Sequence, residues 1–130
     1  MNRTTLALAG AWIAMLAIAY ATLTRVGFVY SIYFKLAPWL MHPEMQTYAH
    51  FEHIIAFGFL GALFALAYPK RLLLICCIVF GGAALLEIAQ TMTFDRHGTL
   101  IDALDKFAGG SAGILLIKTI QHFGRFKDSN

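Results

Sequence analysis

Charge is scarce in this sequence. Asp, Glu, Lys and Arg make up 13% of the 130 residues, against about 25% in ordinary soluble domains. A water-soluble domain of this size needs a large polar surface, and a chain that is 59% hydrophobic cannot supply one. Proline occurs three times and cysteine twice. Cys76 and Cys77 are adjacent inside an apolar run, a spacing that disfavours a bridge and contains no CxxC metal or redox pattern. The ten Lys and Arg give a net charge of +3, but they form no dense or aromatic-interleaved block. Nucleic-acid binding is therefore not expected. No low-complexity segment, internal repeat or soluble domain is visible. Lipid is the solvent that suits such a chain, whose mean hydropathy is +0.68.

What is present is a series of long apolar runs. A helix needs about 20 apolar residues to cross a bilayer. The sequence predicts an all-α membrane bundle, one domain over 1–130, with transmembrane helices at about 5–24, 48–68, 72–90 and 100–122. Ala19-Tyr20-Ala21 resembles a signal-peptide cleavage site, but the run before it is long for a signal core, so it is read as a retained span. Residues 26–46 mix Lys35, Pro38 and Pro43 with Tyr30, Tyr33 and Trp39, and read as an outer interfacial segment. Arg3, Lys70, Arg71, Lys118, Arg125 and Lys127 gather on one side of this arrangement, which makes that side cytoplasmic and both termini internal.

Six of the seven acidic residues fall toward the other side. His53 lies 16 residues from Pro69, Glu87 16 from Arg71, and Asp102 16 from Lys118. Sixteen helical steps span about 24 Å, which leaves all three about 6 Å inside a 30 Å hydrocarbon layer. Ionisable groups at that depth normally face a bundle interior or a wet cavity, so a shared polar pocket is expected. Glu87, Gln90 and Thr91 share a helix face. Asp102 precedes Lys106 by four, the favourable order for an ion pair. Gly109 and Gly113 form GxxxG, and with Gly58, Gly61, Gly81 and Gly82 they read as helix-packing positions.

The candidate catalytic residues are His53 as general base, with Glu87 or Asp102 orienting it. The candidate ligand-binding residues are Arg96, Lys106, Gln90 and His50, with the Arg96 guanidinium suited to capturing phosphate. His50, Glu52 and His53 are metal-ligand types, but the HExxH context is absent, so no metal and no cofactor is expected. In the bundle His53 is expected to hydrogen-bond a carboxylate, with His50 at the interface.

These residues, in order, resemble the VanZ-like family of small bacterial membrane proteins. The likeness rests on His53-Ile54-Ile55-Ala56-Phe57, Glu87-Ile88-Ala89-Gln90, Arg96, Thr99-Leu100-Ile101-Asp102, Gly109 and Gly113, and covers about residues 48–117. Two positions depart from the pattern: Ala49-His50 stands where the family often has Asp-Lys, and Lys106 where it usually has Asn. The resemblance implies a multi-pass protein of the bacterial inner membrane, in a family named for a factor linked to glycopeptide (teicoplanin) resistance, with no established reaction. Three functions are compatible with the pocket. One is binding or handling of an anionic envelope lipid such as a polyprenyl phosphate at the outer leaflet. Another is a hydrolase or transferase acting on a lipid-linked phosphate. The third is a structural or partner-binding role. The oligomeric state is left open.

Overall fold

In a computed structural model the chain is described over residues 2–24, 35, 45–92 and 99–127, with side chains absent from the description at 45–49, 126 and 127. Among the described residues the fold has four extended helices: α1 (Arg3–Leu23), α2 (Met45–Ala67), α3 (Leu72–Thr91) and α4 (Leu100–Lys127). The outer interfacial segment expected over 26–46 lies almost wholly outside the described residues, as does Arg96.

Local chemistry sets the helix ends. Thr24 closes α1, its backbone N–H and its hydroxyl both donating to the Tyr20 carbonyl. Pro69 has no N–H to continue α2, and the chain reverses through a tight turn in which Arg71 N–H donates to the Tyr68 carbonyl at 3.1 Å. Thr99 caps α4: its hydroxyl accepts the Asp102 N–H at 3.2 Å, satisfying one of the first-turn donors that a helix leaves free.

Three of the helices are long and apolar enough to cross a membrane: α1, α2 (over His50–Ala67) and α3. The fourth, α4, carries Asp102, Asp105, Lys106 and Lys118 and falls outside that set. The outward faces are strongly apolar. Leu73 is 82% exposed, and Leu16, Ile55, Leu85 and Leu115 are each more than half exposed. A soluble monomer rarely shows so much contiguous apolar surface, whereas lipid covers it without cost. The chain is an all-α protein with the features of a membrane protein.

The core is small and tight. Phe57, Leu60, Phe64 and Ala65 of α2 pack with Ile75, Val79, Ala83 and Leu86 of α3, Ala11 of α1 and Ile114 of α4. Trp12 meets Phe64 edge to face at 5.4 Å between ring centroids, and Phe80 meets Phe107 at 5.5 Å. Between lipid-bathed helices, burial in an apolar medium supplies little drive, so shape and close contact hold them together. The most extensive contact joins α2 to α4, which run parallel.

Glycine makes that contact possible. A Cβ on Gly109 would collide with the Ile54 carbonyl, and one on Gly113 with the Gly58 carbonyl. A Cβ on Gly61 would come within 2.5 Å of the Gly110 carbonyl. Gly82 faces the Met15 side chain of α1. Gly81, read from sequence as another packing position, has no atom within 4 Å of where its Cβ would be. At the end of α2, Lys118 Nζ donates to the Pro69 carbonyl at 2.6 Å and Gln121 Nε2 to the Ala65 carbonyl at 3.3 Å. Side chains of α4 thus satisfy carbonyls that the last turn of α2 leaves free.

Candidate functional site

At the opposite end of the bundle from the Lys118–Pro69 contact, charged residues of α2, α3 and α4 come together. The fully buried Lys106 of α4 sits at the centre. Its ammonium pairs with Glu87 Oε2 of α3 and donates to Gln90 Oε1 at 3.3 Å. Gln90 Nε2 in turn donates to the Thr22 carbonyl near the end of α1 at 3.4 Å. One chain of polar contacts therefore ties α1, α3 and α4. An unpaired lysine at this depth would cost several kcal/mol, so the counter-charge and the amide oxygen are what make its burial tolerable.

Toward solvent from Lys106 lies a second group. His50 Nδ1 of α2 contacts Asp105 Oδ2 and lies 3.8 Å from Asp102 Oδ1, both on α4. The two aspartates are three residues apart and share the face of α4 turned to α2. They are mostly buried, with side chains 21% and 19% exposed, while His50 remains 39% exposed. The nearest candidate nitrogen and carboxylate oxygens of these three residues all lie within 4.8 Å of one another, a spacing that suits a metal ion. His53, one turn deeper on α2, is half buried, and charges on Lys106, Asp102, Glu87 and Asp105 all act on it. Its side chain forms no hydrogen bond with another described residue. Glu87 keeps one buried oxygen, Oε1, with no donor among the described residues.

His53, Glu87 and Asp102 thus belong to one polar layer, together with Lys106, Gln90 and His50. Their pairing differs from the sequence expectation in three respects. Lys106 bonds across the bundle to Glu87 rather than along its own helix to Asp102. A fully buried ammonium gains more from a desolvated partner than from an i,i+4 pair, which contributes only about 0.2–0.5 kcal/mol. His50, not His53, holds the carboxylates. Thr91 turns away, its hydroxyl donating to the Ile88 carbonyl of its own helix at 2.7 Å. Arg96, expected to hold phosphate, lies outside the described residues.

Asp105 is the residue that sequence reading did not single out. The signal was present in Asp102-x-x-Asp105, the same i,i+3 spacing as His50-x-x-His53. Two such pairs on neighbouring helices can face each other. Chemically, the site offers an imidazole oriented by a carboxylate, a second carboxylate beside it, and a sealed ion pair beneath. Comparison with family models, with curated proteins and with solved structures gives no match to this chain, so its function rests on this geometry and on the sequence pattern.

Proposed function

We propose that the chain is a multi-pass protein of the bacterial inner membrane, similar to the VanZ-like family, whose outer-facing polar layer binds the headgroup of an anionic envelope lipid such as a polyprenyl phosphate. In this reading α4 is a fourth span and both termini are cytoplasmic. The observation that carries it is the convergence of ionisable side chains from three helices at one end of an otherwise apolar bundle, with His50 the most exposed of them among the described residues. A site about 6 Å beneath the membrane boundary meets a lipid's headgroup and its first chain carbons together.

The sealed state of Lys106 shifts the roles within that reading. Its ammonium is committed to Glu87 and Gln90, so it braces the pocket floor. Phosphate recognition falls to Arg96 and to His50. The test is retention of polyprenyl phosphate by the purified protein, read by native mass spectrometry. Arg96→Ala and His50→Ala should each reduce retention severalfold with the helical content unchanged. Retention equal to wild type in both variants refutes the reading.

The His50–Asp105 contact favours one further reading, because an imidazole oriented by a carboxylate is the geometry of a general base. Here His50 takes the role that the sequence suggested for His53, and the lipid-linked phosphate is a substrate. Release of inorganic phosphate or a shortened headgroup from a polyprenyl diphosphate, lost in Asp105→Asn, separates catalysis from binding. Absence of any product from wild type leaves binding alone.

A further inference from the structure

We infer that His50, Asp102 and Asp105 form a binding site for one divalent transition-metal cation, of the zinc or manganese class, at the outer end of the α2–α4 pair. The ligand set is mixed: one imidazole nitrogen from α2 and two carboxylate oxygens from α4, all within 4.8 Å of one another. Zinc–nitrogen and zinc–oxygen bonds run about 2.0–2.2 Å, so two ligands of one ion stand at most about 4.4 Å apart. Rotations of the His50 and aspartate side chains bring the three atoms onto one ion. Imidazole with carboxylate suits zinc and manganese, and the half-exposed His50 edge leaves coordination positions open.

Charge balance points the same way. The polar layer contains three carboxylates, Glu87, Asp102 and Asp105, and its buried lysine is spent on the first. Among the described residues no Lys or Arg pairs with the two aspartates, which lie at the edge of a low-dielectric region. A divalent cation cancels their charge. Removing one proton from Nδ1 of His50 is not required, because a neutral imidazole presents that nitrogen's lone pair once the hydrogen resides on Nε2. A second observation concerns Glu87 Oε1, buried and lacking a donor among the described residues. The charges of Glu87, Asp102 and Asp105 all act on His53, which puts this acceptor in the same polar layer as the proposed cation. Metal-bound water is a strong donor, and second-shell carboxylates commonly accept from it.

The cation site does not depend on the lipid reading. Where that reading holds, a phosphate oxygen fills the open coordination positions and the metal supplies the positive charge that sealed Lys106 cannot. Without the cation, two aspartates at the mouth repel the very headgroup the pocket is proposed to take.

The experiment uses the full chain in a phosphate-free maltoside detergent, so that no lipid phosphate contributes. Zinc and manganese binding are measured separately by equilibrium dialysis, and the manganese form by electron paramagnetic resonance. One ion per chain is expected for at least one of the two metals. His50→Ala and Asp105→Asn should each weaken it tenfold or more, and His122→Ala, at the other end of α4, should leave it unchanged. X-ray absorption of the zinc-loaded wild type should show a single imidazole in an otherwise oxygen shell, a readout that stands even if a variant fails to fold. No stoichiometric ion in the wild type, a shell without imidazole, or equal affinity in folded His50→Ala overturns the inference. Loss of lipid retention with intact metal binding would instead fault the lipid reading.

Discussion

Removing the positive charge from position 106 is the most direct test of how the bundle tolerates its polar layer. Lys106→Met keeps most of the side chain's length and packing volume but strips Glu87 and Gln90 of their shared donor. Lys106 has no exposed surface and the Glu87 side chain is only 13% exposed, so water can do little to re-solvate the carboxylate left behind. Two unit charges about 4 Å apart attract by about 4 kcal/mol at an effective dielectric of 20. Breaking a buried pair by deleting one partner costs about 3–5 kcal/mol, and Gln90 Oε1 adds about 1 kcal/mol as an unfilled acceptor. The single variant should therefore lose about 4–6 kcal/mol. Glu87→Leu alone should lose a similar amount, because it strands the ammonium. The pair of substitutions together should recover most of the loss and retain only the Gln90 deficit, about 1–2 kcal/mol. Reversible unfolding in mixed detergent and dodecyl sulfate micelles, followed by helical circular dichroism, provides the double-mutant cycle. Single variants within 1 kcal/mol of wild type, or a double variant no better than either single, would falsify the picture of a sealed ion pair.

The remaining expectations concern packing and surroundings. Gly113→Ala drives a methyl into the Gly58 carbonyl and should cost at least the 1–3 kcal/mol typical of overpacking, whereas Gly81→Ala, which meets nothing, should be neutral or gain up to about 1 kcal/mol of helix propensity. Equal effects at the two positions in the same unfolding assay would deny that α2 and α4 touch through glycine. Cys77 is exposed on an apolar membrane-length helix, so a charged, water-soluble maleimide should leave it unlabelled in intact membranes and label it after solubilisation in dodecyl sulfate. Rapid labelling in intact membranes would place α3 in water.

Much of this fold is legible along the sequence because it depends on local terms. Pro69 ends α2 through its missing N–H, Thr99 opens α4 through its hydroxyl, and the long apolar runs give helices wherever they occur. That polar residues of three helices share one level along the bundle is legible as well, since rise per residue is constant and the basic turns mark one end. The pairing within the layer is not. His50 and His53 lie only about 60° apart around their helix, so small rotations decide which of them faces α4. Lys106 could reach Asp102 along its own helix or Glu87 across the bundle, and the choice depends on how α4 is turned about its axis. That rotation is set by backbone contact at Gly109 and Gly113, a tertiary fact with no local signature beyond the glycines themselves.

A constant offset of 55 residues links α2 and α4: His50 meets Asp105, Ile54 meets Gly109, and Gly58 meets Gly113. The glycines therefore act as a ruler as well as a hinge-pin, fixing both how far one helix is slid along the other and how closely they lie. If α4 slipped outward by a single helical turn, about 5.4 Å, His50 would lose both aspartates and the bulk of neighbouring side chains would meet the bare backbone. Chemistry at the mouth of the bundle is thus calibrated by backbone contacts lying one to two turns deeper.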